Sequence, residues 1–406
     1  MLGGVLVGLA VLVGVELVLR LIFPAPRLRK EPQVQIALDA RMGYRTKPDQ
    51  KAFEMDAPVS INKLGFRGPD FEPERQPGSL RILGLGNSIT FGSGLADDET
   101  YLAHLEERLR AAHPGQVVEV LNAAMEGFTI RQYLPFLERV LPKVKPDVVI
   151  LGAAFRDLHF HARVGQLKGK VDEEAWKAVK KKFDQTNNKV VHIDRAPFKE
   201  RLSRRTKNGI RRWRTAYVVY YLAEKLRNRI APPSFLQWQT SFLSGEETEP
   251  IRARRVETKK TLATMRDLCV EHDAKLGFIS FPIYDQILRE YPQSTWPAIL
   301  ADACEHHGLP YLDLLPALRD EYRKDGKSIF LPYDGNHYSA SCHDSISLAV
   351  LDFLKSERLV PEDNASRASH HHDPPAQLSR TGARRGGPAG GCPAVACARR
   401  RPASPR

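Results

Sequence analysis

Nucleophilic catalysis needs a hydroxyl or thiol to attack, an imidazole to take its proton, and an acid to orient the imidazole. Two stretches of this sequence offer that set. "RILGLGNSITFG" (81–92) closes an apolar run with Gly-Asn-Ser and puts Ser88 just ahead of a helix-like segment. "LPYDGNHYSASCHDSISLAVLDFL" (331–354) carries Asp334 three residues before His337. A carboxylate at that spacing can accept the imidazole Nδ1–H and leave Nε2 for a serine proton. A third stretch, "LNAAMEGFTIRQ" (121–132), supplies Gly127, whose missing Cβ lets its N–H approach a developing oxyanion. Each signal is weak alone. A serine at a helix start is commonly an N-cap, Asp334 beside Gly335 is ordinary turn chemistry, and so is a glycine after a strand. His343 is the competing histidine, but at the start of a helix it reads as a packing residue.

What gives the three stretches weight is the elements expected around them. "RILGLG" (81–86), "VVEVLNA" (117–123), "DVVILGAA" (147–154), "LGFISFPI" (276–283) and "PYLDLLP" (310–316) read as strands. The near-continuous apolar run of 147–154 suits a strand buried on both faces of a parallel sheet. Helical spacing is expected over 99–113, 130–144, 255–272, 296–308 and 345–357. Five strands alternating with helices imply a doubly wound α/β fold, a three-layer α/β/α sandwich around a mostly parallel sheet. In such sheets sites form at the carboxyl ends of strands, where Ser88, Gly127 and the loop that holds Asp334 and His337 are all expected.

The chain has 406 residues and a net charge of +13, but the charge is dispersed. The tail from Pro361 holds eight arginines against Glu362, Asp363 and Asp373. Much of the rest lies between Lys168 and Lys260, in a basic helical insertion expected over about 160–260. No nucleic-acid motif accompanies it, and such charge runs usually face solvent. The alternative for the insertion is a lid that touches lipid headgroups or an acidic glycan. The five cysteines form no CxxC and have no zinc-like spacing with histidine, so buried or free thiols are expected. No metal or organic cofactor is implied. The tail from Asn364 is low in complexity and is expected to be disordered.

Leu2–Phe23 is apolar except for Glu16 and Arg20, which lie i,i+4 on one helical face. At 1.5 Å per residue it spans roughly 33 Å, enough for a bilayer core. An uncleaved anchor is expected over 1–24, followed by a linker with short extended pieces over 25–78 and the α/β domain over 79–358. Arg27, Arg29 and Lys30 follow the helix and no Lys or Arg precedes it, which by the positive-inside rule favours a cytoplasmic domain.

The order Ser, Gly, then a late Asp-x-x-His, each after a strand of one sheet, resembles the SGNH (GDSL-like) hydrolase family over roughly residues 60–355. "INKLGFRGPDF" (61–71) ahead of the Ser88 block makes it most similar to the membrane-anchored bacterial members. The resemblance implies the flavodoxin-like fold of that family and a serine ester hydrolase acting on an ester-bearing small molecule, glycan or lipid. It implies Ser88 as nucleophile, His337 as base and Asp334 as its orienting acid, with Ser88 and Gly127 N–H groups in the oxyanion hole. It also implies a domain outside the cytoplasm, against the flanking charges, and the expectation follows the resemblance. Two positions depart from the family pattern. Asn87 stands where the family has aspartate, and Arg156 stands, before Asp157, where an asparagine usually completes the oxyanion hole. Arg156 is therefore a tentative third donor. The alternatives are an O-acyltransferase or a catalytically impaired module that binds glycan or assists cell-envelope assembly.

Overall fold

The computed structural model describes residues 2–39, 41–154, 157, 204–231, 239, 242–246, 248–291 and 296–362. Arg156, most of the basic stretch and the tail lie outside them. The centre is a five-stranded parallel sheet built from β5 (Leu80–Gly86), β6 (Val118–Asn122), β7 (Val148–Ala154), β8 (Lys275–Phe281) and β9 (Tyr311–Asp313). Their spatial order is β6-β5-β7-β8-β9, so the first of the five lies between the second and the third. That is the doubly wound order with its switch point beside β5.

The period-2 alternation of each strand makes the layers. Leu83 and Leu85 of β5 and Val149, Leu151 and Ala153 of β7 point into one core. That core is closed by α4 (Ile130–Val144), α7 (Glu249–Glu271) and α9 (Trp296–His307). Leu80, Ile82, Val148 and Ile150 point into the other, against α3 (Tyr101–Ala112), α10 (Leu315–Asp325) and α11 (Ala340–Ser356). Burying a Leu or Ile is worth roughly 1.5–3 kcal/mol, so a strand with seven consecutive buried positions, as in β5 and β7, is fixed in register by both faces.

The chain differs from the sequence expectation in several places, among them α7, which starts six residues before the expected 255. The strand expected over 310–316 is short, because Asp313 Oδ1 accepts from Leu315 N at 2.9 Å and starts α10, with a proline in its first turn. No helix is expected there from the sequence, although Leu315, Leu318 and Tyr322 stand at i, i+3 and i+7 and pack into the second core. α11 starts five residues earlier than expected, since the Ser339 side chain caps it by accepting from Cys342 N. Within 25–78, β1 (Ile36–Asp39) pairs with β2 (Gly43–Thr46), and β3 (Gln50–Glu54) pairs with β4 (Ala57–Ile61), both antiparallel. Met42, Tyr44 and Phe66 from this region are buried in the larger core.

At the amino end, α1 (Leu2–Ile22) exposes most of its apolar side chains. Gly3–Ile22 is long and apolar enough to cross a membrane, by length and composition. The expected Glu16–Arg20 pair forms at 2.7 Å. A hairpin of two helices, α5 (Arg204–Arg212) and α6 (Arg214–Ile230), packs beside it. Cys269, Cys304 and Cys342 are buried free thiols; burial pushes Cys269 and Cys304 up to about 12, which leaves them unreactive.

Candidate functional site

Ser88 opens α2 (Ser88–Phe91), a single turn set at the carboxyl end of β5. Two glycines let that turn sit so low on the sheet. Gly86 and Gly152 are register partners in β5 and β7, and Thr90 lies over both. A Cβ on either glycine would fall 2.3 Å from Thr90 Oγ1. Ser88 does not cap the turn: Asn87 does, its Oδ1 accepting from Ile89 N at 2.8 Å. The hydroxyl of Ser88 is thereby left for another partner, and that partner is His337, with Nε2 at 2.9 Å from Oγ.

The histidine is held by its own loop. His337 Nδ1 lies 2.7 Å from Asp334 Oδ2, while Asp334 Oδ1 accepts from Asn336 N at 2.8 Å and His337 N at 3.2 Å. Burial works to raise the Asp334 carboxyl; the hydrogen bonds from His337 and the backbone outweigh it and hold the group below its ordinary value. Asp334 is thus a carboxylate at neutral pH, and the Nδ1–H tautomer of His337 is favoured. The loop is tied down by Leu331 N to His337 O at 2.9 Å and by Tyr284 N, at the start of the short helix α8 (Tyr284–Leu288), to Gly335 O at 3.3 Å. Tyr338 beyond it is fully buried and its hydroxyl donates to Pro282 O.

Gly127 lies after β6 at the same edge, with φ 73°, a conformation that glycine adopts without strain. Its loop is positioned by Met125 N to Gly86 O at 3.0 Å and by Phe128, which is buried against the edge of Tyr44. The sequence thus delivers Ser88, Asp334 and His337 into direct contact and Gly127 to the same edge. Arg156 lies outside the described residues. His343 takes no part: it is buried in α11 and its Nδ1 accepts from Tyr101 N at 3.0 Å.

Three supporting residues carried too little signal in the sequence. Asp157 is buried and accepts from Asn87 Nδ2 at 2.8 Å, Tyr133 Oη at 2.9 Å and Ala154 N at 3.0 Å. Tyr133 lies in α4; burial and then the Asp157 charge push its hydroxyl well above its ordinary value, so it remains a donor. Arg67, from the "GFRGPDF" stretch, is also buried. It donates to Phe91 O and Gly92 O at 2.7 Å and to Leu95 O at 2.5 Å, and it pairs with Asp97 at 2.9 Å. Its guanidinium satisfies carbonyls left over where the α2 turn ends, and so ties the amino-terminal hairpins to the serine.

The arrangement is that of a hydroxyl, an imidazole and a carboxylate in series, on a doubly wound α/β sheet, at the switch point where such folds place their sites. No family model matches the chain, and no curated protein does. Among solved structures it is similar to the lipase/acylhydrolase from Enterococcus faecalis, at 14% identity and TM-score 0.36, covering 68% of this chain and 96% of that one. A catalytic mutant of Axe2, an acetylxylan esterase from Geobacillus stearothermophilus, matches at 14% identity and TM-score 0.38, over 69% of this chain and 96% of that one. The psychrotrophic esterase EstA from Pseudoalteromonas sp. matches at 12% identity and TM-score 0.36, over 68% of this chain and 98% of that one.

Proposed function

We propose that the chain is a membrane-anchored serine hydrolase of ester bonds, with Ser88 as nucleophile, His337 as general base and acid, and Asp334 as the acid that orients it. The observation that carries the reading is the contact series Ser88 Oγ to His337 Nε2 at 2.9 Å and His337 Nδ1 to Asp334 Oδ2 at 2.7 Å. As Ser88 Oγ attacks an ester carbonyl, Nε2 takes its proton, and the imidazolium is stabilised by the Asp334 carboxylate. The carbonyl oxygen becomes an oxyanion, to which the N–H groups of Ser88 and Gly127 donate, with Arg156 as the third donor. The imidazolium then protonates the departing alkoxide, and an alcohol leaves. Water, deprotonated by the same nitrogen, attacks the acyl-serine; the acyl–Oγ bond breaks, the acid is released, and Nε2 returns the proton to Ser88 Oγ. The substrate is an ester-bearing small molecule, glycan or lipid.

The test is p-nitrophenyl acetate hydrolysis by the full chain in detergent. Ser88→Ala and His337→Ala are each expected to abolish turnover, with no further loss in the double variant, because residues that act as a unit are not additive. Wild-type turnover in His337→Ala would remove the triad assignment.

A further inference from the structure

The α5–α6 hairpin has no part in the proposed chemistry, yet its contacts and its surface are unusual. It is pinned to the anchor helix within the apolar span. Glu16, buried, accepts from Arg20 Nε at 2.7 Å, Arg214 N at 2.9 Å, and Thr215 N and Oγ1 at 2.8 Å. The amino end of α6 thus supplies the donors and the positive helix-dipole end that a carboxylate in an apolar span requires. Glu16 stands six residues before Ile22, so the pin lies roughly 9 Å inside the end of the helix at 1.5 Å per residue. Arg20 Nη2 donates to Arg212 O at 3.3 Å, and Asn208 and Arg29 exchange hydrogen bonds at 2.8 and 3.1 Å. The hairpin is thereby held along the last turns of the anchor.

The surface it turns outward is apolar. Val219, Leu222, Leu226 and Ile230 are exposed by 62%, 56%, 57% and 76%, values that no packed core residue shows. At about 100° per residue they share one arc of α6 with Ala216, Tyr220 and Ala223, and the opposite arc holds buried Val218 with half-buried Tyr217 and Tyr221. Trp213, exposed, marks the junction of the two helices beside Arg20. The hairpin sequence carries nine Lys and Arg against Glu224 alone. An apolar arc, a flanking tryptophan and a strongly basic remainder are the composition of a helix that lies in the headgroup region.

We propose that the hairpin Arg204–Ile230 is a bilayer-interface element, seating the Val219–Leu222–Leu226–Ile230 arc at the headgroup–acyl boundary of an anionic membrane beside the anchor. The occupant is lipid because the pin at Glu16 places the amino end of α6 at the depth of the span itself. The inner face of the hairpin reaches the candidate site. Tyr217 and Tyr221 pack edge-on to Tyr333 at 4.9 and 5.0 Å, and the Tyr333 hydroxyl donates to Pro24 O at 3.0 Å. Tyr333 immediately precedes Asp334, so membrane, hairpin and acid loop are in contact in that order.

The proposal requires that Gly3–Ile22 crosses the bilayer; it does not require the hydrolase chemistry. Its test is spin-label accessibility on the full chain, with Cys392→Ser and Cys397→Ser, in nanodiscs of phosphatidylcholine and phosphatidylglycerol. Single labels go at Val219→Cys, Leu222→Cys, Leu226→Cys and Ile230→Cys. Leu12→Cys in the anchor and Val270→Cys, exposed at the opposite edge of the sheet, are the references. At the four α6 positions collision rates are expected to shift toward oxygen and away from a water-soluble nickel complex, relative to Val270→Cys. Nickel accessibility equal to that of Val270→Cys, with Leu12→Cys protected, overturns the interface while keeping the anchor. Labels shielded from both reagents also overturn it, in favour of a protein contact on this face. A water-accessible Leu12→Cys overturns it by removing the anchor.

Discussion

Asn87 and Asp157 decide what the Ser88 hydroxyl can do. In the resemblance to SGNH hydrolases Asn87 is a departure, and its effect is local: it caps the α2 turn with Oδ1 and gives Nδ2 to the buried Asp157. Asp157 accepts from an amide, a phenol and a backbone N–H. An asparagine in its place would turn an NH₂ toward one of these donors and leave a buried donor unpaired. Asp157→Asn is therefore expected to destabilise the chain by about 1–3 kcal/mol, measured by denaturant unfolding in detergent. It should also lower ester turnover through a displaced Asn87. Wild-type stability in this variant would show that the carboxylate is not needed as a multiple acceptor.

Among the elements, the packing of α3 on α11 gives a pH-dependent contribution. His343 lies on α11, and its Nδ1 accepts from Tyr101 N at the start of α3. Burial first, and the positive Arg67 nearby second, lower its pKa to about 3. A histidine with a depressed folded value binds its proton more readily when unfolded. Its contribution is complete above the unfolded value of about 6.5 and is lost as pH falls from there toward 3. The slope is about 1.4 kcal/mol per pH unit, or about 2 kcal/mol between pH 7 and pH 5. Unfolding of the full chain at pH 7, 6 and 5 should show this acid sensitivity, and His343→Gln should lack that part of it. Parallel pH profiles for the two chains would sink the assignment.

On the scale of the molecule, the candidate site, the loop of Asp334 and the end of α1 lie together. The carboxyl edge of the sheet carries Ser88 and His337, and Tyr333 beside Asp334 reaches Pro24, just beyond α1. If Gly3–Ile22 crosses a bilayer, the proposed hydrolase site stands within reach of the membrane surface, and the side on which it works is a matter of topology. The resemblance implies the outer side, while Arg27, Arg29 and Lys30 after the helix favour the inner one. The outer side is the one proposed. Alkaline phosphatase fused to the carboxyl end of the full chain is expected to be active in an expressing bacterium. A stable but inactive fusion would reverse the topology.

The sequence by itself determined the sheet and pointed to the residues proposed for the triad. Apolar strands with period-2 faces can be buried only between two helical layers, and the right-handed crossover brings their carboxyl ends, with Ser88, Gly127 and the Asp334–His337 pair, to one edge. The i,i+4 spacing of Glu16 and Arg20 likewise fixed their pairing, because it is local. Tertiary structure decided what depends on residues far apart in the chain. Arg67 reads as one more surface arginine until Phe91, Gly92 and Leu95 present their carbonyls to it. Asp157 becomes a shared acceptor only when α4 and the β5–α2 turn converge on it. The role of Glu16 beyond its own helix was equally hidden, since its donors at Arg214 and Thr215 are about two hundred residues away in sequence. Periodicity records which face of an element is buried; it carries no record of the partner that a buried polar group meets there.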